Sequence, residues 1–176
     1  MKGRWLYRSR QFFGALLGGV RDEEMAEARR VLGDRLFSLF ARLPKQYRRH
    51  GLTVYRRVVE AGCDDSAVQQ AALLHDVGKF DPGSGRYVTI FHRVIVVLLD
   101  ALPGGRRVLR RLSREGSRHN FVLYPFYLSG HHAALGAKLA GSLGASEEVV
   151  GLIAGHHRVG GHDGRLRALQ AADDRS

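Results

Sequence analysis

The sequence predicts an all-α fold, a compact helical bundle of ordinary single-domain size. Apolar residues recur at spacings of three, four and seven over most of the 176 residues, as one face of an α-helix requires. Glycine and proline interrupt this pattern at points typical of helix ends. An apolar fraction of 44% beside 26% charged residues is ordinary for a globular chain with a hydrophobic core.

Residues 1–44 are predicted to form a helical lead-in that packs on a main domain of residues 45–176. One apolar face of the lead-in is formed by Trp5, Phe12, Phe13, Leu16 and Val20. A second is formed by Val31, Phe37, Leu39, Phe40 and Leu43. Pro44 ends the second helix, because proline lacks an amide hydrogen and clashes with the preceding turn.

The main domain is predicted to contain seven helices joined by short loops. Their approximate ranges are 45–61, 67–75, 88–102, 106–115, 131–143, 146–157 and 164–174. Asp81–Gly85 has loop composition, and the aromatic-rich range 120–130 is predicted to be irregular. Val94–Val97 is a run of β-branched residues, so a strand there is an alternative to a helix.

The chain is strongly basic, with 28 Lys and Arg against 17 Asp and Glu and a net charge of +11. Such a surface attracts nucleic acid, anionic lipid or small phosphates, although a solvated surface accounts for the same composition. The densest basic run consists of Arg106, Arg107, Arg110, Arg111 and Arg114. A solvated helix face is its simplest interpretation. The alternative is a rim that attracts phosphorylated substrates or contacts nucleic acid or an anionic membrane surface.

Cysteine content and apolar runs exclude several classes of protein. Cys63 is the only cysteine, which excludes an intramolecular disulfide and a thiolate zinc cluster. No run reaches the roughly 18 to 20 apolar residues of a membrane span. The apolar stretch 12–20 resembles the start of a signal peptide, but acidic residues 22–24 follow it and no cleavage-site pattern does. We therefore expect a cytoplasmic protein whose aromatic N-terminal segment could contact an anionic membrane.

Histidine and aspartate recur at the predicted helix ends. The set comprises His50 at the start of one helix, His75-Asp76 at the end of the next, His131-His132 at the start of another, His156-His157 at the end of the one after, and Asp173 in the last. Imidazole and carboxylate bind zinc, iron and manganese. Neighbouring side chains leave a helix about 100° apart, so one helix end can serve two adjacent ions. One such pair could be a helix cap, but repetition favours a metal site.

Five segments in this order resemble the motifs of the HD superfamily of metal-dependent phosphohydrolases. They are RHGLTV (49–54), AALLHDVGK (71–79), HAALGA (132–137), IAGHH (153–157) and LQAAD (169–173). The resemblance covers about residues 50–174 and implies a compact α-helical HD domain, in agreement with the periodicity.

The resemblance also implies a set of metal ligands. The common four-ligand set of the family falls on His50, His75, Asp76 and Asp173. The ligands added in binuclear members fall on His132, His156 and His157. Asp76 is then the bridge between two divalent transition-metal ions, such as Mn, Fe or Zn. His131 competes with His132, whose spacing to Gly136 fits the motif better.

The implied activity is hydrolysis of a small phosphorylated substrate, nucleotide-like, by a phosphodiesterase or a phosphomonoesterase. In this mechanism Asp76 orients the attacking water and Lys79 neutralises charge on the phosphate. The alternative for Lys79 is a lysine that stabilises the end of a helix through its dipole. His92, His119 and His162 stand outside the motifs and are predicted not to be ligands.

Two other function classes remain open. Some HD-fold proteins are di-iron oxygenases with a similar ligand set, which does not need the second histidine of a pair such as His156-His157. The other class is a basic module that binds nucleic acid or membrane and holds a structural metal. Residues 158–164 read RVGGHDG, without the Gly-Tyr-Pro element of the subgroup that cleaves cyclic di-GMP. The sequence does not indicate the oligomeric state.

Overall fold

The computed structural model describes residues 19–158 and 163–176, which are mostly helical. The helices are α1 (Asp22–Ala41), α2 (Lys45–Glu60), α3 (Ser66–Leu74), α4 (Ile90–Asp100), α5 (Gly105–Leu112), α6 (Tyr124–Ser142), α7 (Glu147–Gly155) and α8 (Gly164–Asp173). Two 3₁₀ turns cover Val77–Lys79 and Glu115–His119. The described residues contain no sheet, only an isolated bridge between Phe80 and Tyr87. The all-α prediction is confirmed.

The core is centred on α3, which packs against α1, α2, α7 and α8. Most of α3 is buried, because its apolar side chains contact neighbouring helices on several sides. Asp65 begins the helix, because its Oδ1 accepts hydrogen bonds from the amides of Ala67 and Val68 at 2.9 and 3.2 Å. The buried end of α3 thus delivers His75 and Asp76 to the middle of the molecule.

The lead-in is described only from residue 19 onward, so the apolar face predicted between Trp5 and Leu16 lies outside the described residues. The second predicted face is found in α1, which bends at Gly33, where φ is +67°. Ala28, Leu36 and Phe40 of α1 belong to the same core cluster as the residues of the main domain. Residues 22–41 therefore share their core with the main domain.

The helix start predicted at His131 is wrong. α6 begins at Tyr124 and not at residue 131, because Asn120 Oδ1 accepts hydrogen bonds from two following amides and Pro125 suits a first helical turn. His132 consequently lies inside α6. The predicted range of 45–61 for α2 agrees with the structure to within one residue, although His50 lies in the second turn of this helix and not at its start.

The β-branched run Val94–Val97 lies in α4, so the strand alternative is wrong. A strand needs a neighbour for its backbone hydrogen bonds, whereas a helix satisfies its own. α4 and α5 pack on each other and on α6, and α4 has no buried residue. None of the helices in residues 19–158 and 163–176 is both long and apolar enough to cross a membrane.

A buried carboxylate joins α1 to α2. Glu24 is 3% exposed, and its two oxygens accept hydrogen bonds from the Arg49 guanidinium at 2.8 and 2.9 Å. Arg56 contacts the same carboxylate. The hydrogen bond from Arg49 is the main cause that lowers the pKa of Glu24 to about 2. Because Arg49 precedes His50, this pair fixes α2 directly beside a predicted ligand.

Replacing Glu24 by glutamine should lower the free energy of unfolding at pH 7 by about 3 kcal/mol, because Arg49 is left without its charge partner. The pKa of Glu24 is lower in the folded state, so its contribution is present above about pH 4.5 and is lost as the pH falls to about 2. Urea unfolding between pH 2 and 7 measures both effects. Glu23→Gln, at an exposed position of the same turn, is the control and should change little. A constant difference between wild type and Glu24→Gln over this pH range would contradict the prediction.

Candidate metal centre

The close approach of α2 to α3 at Gly51 brings the first two histidines together. A Cβ atom at Gly51 would lie 2.7 Å from the carbonyl oxygen of Leu73, so a larger residue would push the helices apart. His50 precedes this contact and His75 follows the end of α3. Their Nε2 atoms lie 3.2 Å apart.

The turn after α3 rests directly on α6. A Cβ atom at Gly78 would lie 2.1 Å from the carbonyl oxygen of His132 and 2.6 Å from the amide nitrogen of Gly136. The two glycines therefore let the backbone of the turn touch the backbone of α6. This contact places Asp76 Oδ1 3.6 Å from His132 Nε2.

Replacing Gly78 by alanine should lower the free energy of unfolding by about 3 kcal/mol and displace Asp76 from His132. The added methyl group would overlap backbone atoms, which cannot rotate away as a side chain can. Urea unfolding and metal content measure the two effects. Gly151→Ala is the matched control, because Gly151 lies on the exposed side of α7 with nothing within 4 Å of its added Cβ. It should stabilise the helix by up to about 1 kcal/mol. Equal urea midpoints for Gly78→Ala and wild type would contradict the steric explanation.

The first cluster consists of His50, His75, Asp76 and Asp173. Asp173 Oδ1 lies 3.1 Å from His50 Nε2 and 3.6 Å from His75 Nε2. The Asp76 carboxylate lies 3.7 Å from each of the same two nitrogens. Four ligand-type side chains from α2, the end of α3 and α8 thus converge on one position.

The second cluster consists of His132, His156 and His157. His132 Nε2 lies 3.2 Å from His156 Nε2 and 2.9 Å from His157 Nε2. His132 and His156 are buried, whereas His157 is exposed at the edge. The two clusters adjoin, because the rings of His75 and His156 are 5.3 Å apart between centroids.

The Nδ1 atoms of the buried histidines face backbone carbonyls. The distances are 3.0 Å from His75 to Ala72, 2.8 Å from His132 to Ser129 and 2.7 Å from His156 to Ile153. A carbonyl oxygen only accepts, so each Nδ1 donates its hydrogen. In the neutral ring the Nε2 atom then carries a lone pair, and these lone pairs point into the clusters.

Burial keeps the second cluster uncharged. It holds the pKa of His132 well below its usual value and lowers the pKa of His156 to about 4. In the first cluster burial also lowers the pKa of His50, but His75 differs. There burial alone would lower the pKa of His75, but the carboxylates of Asp76 and Asp173 raise it above its usual value. The carboxylates that favour a proton on His75 favour a metal cation at the same place.

Asp76 is the carboxylate common to both clusters. Its oxygens lie within 3.7 Å of Nε2 atoms of His50, His75 and His132. Lys79 Nζ contacts both oxygens, at 2.7 and 2.8 Å. Burial alone would raise the pKa of Asp76, but Lys79 and the histidines hold it well below its usual range. The carboxylate is therefore ionised at neutral pH.

This donor set fits metal ions better than it fits a metal-free core. Unprotonated Nε2 atoms of His132 and His156 lie 3.2 Å apart, where two lone pairs repel each other unless a cation lies between them. His132, His156 and His157 form one group of metal-ligand geometry, and His50, His75 and Asp76 form another. The structure thus contains two largely buried clusters of histidine and aspartate side chains that could bind metal ions.

The histidines outside the motifs stand apart from the clusters, as far as the structure describes them. His131 stacks on Tyr127, with ring centroids 4.5 Å apart, and its Nδ1 faces the carbonyl of the same residue. His92 contacts Thr89 through a 2.7 Å hydrogen bond, and His119 lies in the second 3₁₀ turn. His162 lies outside the described residues.

Sequence patterns missed several groups that position the ligands. Ser176 Oγ lies 3.3 Å from His50 Nδ1, and the Gln170 side chain donates to the carbonyls of His156 and Arg158 at 3.1 and 2.8 Å. Ser176 lies outside the motif segments, and Gln170 lies within LQAAD (169–173) but is not one of the ligands that the motif implies. The close contact at Gly51 had a signal in the sequence, since a glycine inside a helix beside a histidine calls for a packing reason.

Comparison of the chain with family models, with curated proteins and with solved structures finds no match. Membership of the HD superfamily therefore stays a prediction from the motifs. A functional assignment depends on the geometry of the two clusters.

Proposed function

We propose that this protein is a metal-dependent phosphohydrolase of the HD type with a binuclear site. The observation that supports this most directly is the position of Asp76, whose one carboxylate lies within 3.7 Å of histidine nitrogens from both clusters. A carboxylate shared in this way suits two ions side by side. His50, His75 and Asp173 would hold one ion, and His132, His156 and His157 the other.

When bound, two divalent ions such as Mn, Fe or Zn supply Lewis-acid activation of water and of phosphate oxygens. The protein supplies the rest of the chemistry. Asp76 is ionised, so it can orient a water and accept a hydrogen bond from it. Lys79 adds a positive charge at the same carboxylate and can neutralise charge that develops on a phosphate.

The substrate that we propose is a small nucleotide-like phosphoester. The net charge of +11 attracts anions, and the Lys79 ammonium lies beside the Asp76 carboxylate in the candidate site. Two experiments on freshly purified protein test the proposal. Elemental analysis measures the bound metal, and activity assays with Mn or Fe measure turnover of p-nitrophenyl phosphate, bis-p-nitrophenyl phosphate and cyclic nucleotides. Chelation should abolish turnover and Mn should restore it. Salt-sensitive binding of nucleic acid without any turnover would instead support a binding module.

Replacing Lys79 by alanine should lower turnover by about 100-fold while the metal content stays unchanged, because lysine contacts substrate and an ammonium is not a ligand. Steady-state kinetics and elemental analysis on the same preparation measure both. Lys138→Ala, at an exposed position of α6, is the control and should keep full turnover. Loss of metal in Lys79→Ala, or unchanged turnover, would show that Lys79 only pairs with Asp76 and does not act on the substrate.

A further inference from the structure

The outer face of α4 carries a row of exposed apolar side chains. Their exposed fractions are 68% for Phe91, 43% for Val94, 47% for Val97, 53% for Leu98 and 59% for Leu102. Spacings of three, four and seven place Phe91, Val94, Val97 and Leu98 on one side of α4, and Leu102 follows just after the helix. These five residues are here called the apolar stripe. Soluble monomers rarely leave such a contiguous apolar surface in water without a partner.

The stripe is not a misplaced core face, because the opposite side of α4 already packs on the protein. The His92 ring meets Phe126 of α6 with centroids 5.3 Å apart. Gly104, with φ of +80°, and Gly105 close the turn to α5. A Cβ atom at Gly105 would lie 1.5 Å from the carbonyl oxygen of Leu99, so α4 and α5 form a tight hairpin. The stripe is therefore presented outward by a fixed element.

Positive charge accompanies the stripe. The exposed arginines of α5 and of the residues just after it are Arg106, Arg107, Arg110, Arg111 and Arg114. Asp100 is the only acidic residue between positions 90 and 114, and it pairs with Arg106 at 2.9 Å. One hairpin thus combines a row of apolar side chains with a row of guanidinium groups.

We propose that the α4–α5 hairpin docks on the surface of an anionic lipid bilayer. Lipid phosphates and anionic headgroups pair with the arginines, while the apolar stripe enters the boundary between headgroups and acyl chains. A second copy fits less well, because a two-fold contact would bring two identical arginine rows together. Nucleic acid offers phosphates but no apolar region for five such side chains. Residues 1–18 are a third candidate for this surface, but all their charged side chains are basic and would repel the arginines of α5.

Sedimentation with vesicles tests the proposal on the full chain and needs no enzymatic activity. We expect binding to phosphatidylcholine vesicles that contain about one third phosphatidylserine, weaker binding at high salt, and little binding to pure phosphatidylcholine. Val94→Ser combined with Leu98→Ser should lower the partition coefficient at least about tenfold. Val59→Ser, at an exposed apolar residue of α2, is the matched control and should bind as wild type does.

Charge reversal separates a local effect from net charge. Arg107→Glu with Arg110→Glu should lower binding at least about tenfold, whereas Arg30→Glu with Arg35→Glu changes the net charge equally at exposed positions of α1 and should have a small effect. Equal losses of vesicle binding in these two double variants would overturn the proposal. So would a dimer in sedimentation velocity that the Val94 and Leu98 changes dissociate, or DNA binding without vesicle binding. Vesicle binding that depends only on Trp5, Phe12 and Phe13 would overturn it as well.

Discussion

Replacing Asp76 by asparagine should lower turnover at least about 1,000-fold and reduce the bound metal below one ion per chain. Asparagine keeps the shape of the side chain but removes the negative charge that lies next to the histidines of both clusters. Lys79 then also loses its ion-pair partner, at 2.7 Å in the folded protein. Elemental analysis and steady-state kinetics on the same preparation measure the two losses.

The control for this change is Asp81→Asn, in the loop that follows the 3₁₀ turn Val77–Lys79. Asp81 accepts hydrogen bonds from Tyr124 OH at 2.8 Å and from the amide of Gly83 at 2.9 Å, so its oxygens are already occupied. This variant should retain both ions and most of the turnover. Two ions and wild-type turnover in Asp76→Asn would exclude a bridging role for Asp76.

Replacing His157 by alanine should separate a hydrolase from an oxygenase. His157 Nε2 lies 2.9 Å from His132 Nε2, within the second cluster. In a binuclear hydrolase its loss should reduce the metal content from two ions toward one, and phosphodiester turnover should collapse. In an oxygenase that does not use the second histidine of the pair, its loss should cost only about 10 to 100-fold, as changes outside the ligand shell do.

The matched control is His131→Ala, a histidine next to the cluster that stacks on Tyr127 and does not point into it. It should keep both ions. Oxygen provides the second control. Turnover of a phosphodiester that persists anaerobically with Mn supports hydrolysis, whereas strict dependence on oxygen and iron would reject it in favour of the oxygenase.

Helical periodicity predicted the secondary structure well where helix ends carry standard signals. α1 ends at Ala41, three residues before Pro44, which directly precedes the first residue of α2, and Asp65 caps α3 through its side chain. The start of α6 was missed because its signal is a turn formed by Asn120 and a proline at the second position, which periodicity does not report. Aromatic residues in 120–130 concealed the beginning of the helix.

The candidate ligands could be named from the sequence because imidazole and carboxylate at motif spacing are unusual. Their proximity could not, since residues 50 and 173 come together only through packing of α2 and α8 on α3. The choice between His131 and His132 shows the difference. Spacing to Gly136 favours His132, but the rotation of α6 about its axis is what directs His132 to the cluster and His131 to Tyr127.

The helical class, the order of the motifs and the basic surface could be predicted from the sequence, because these depend on local periodicity and composition. The tertiary structure alone decided which backbones touch at Gly51 and Gly78, and that Asp76 lies between two histidine clusters. It also decided that the apolar stripe of α4 faces outward. These features depend on close packing between residues distant in the chain, and the shape of such contacts is not encoded in any local pattern.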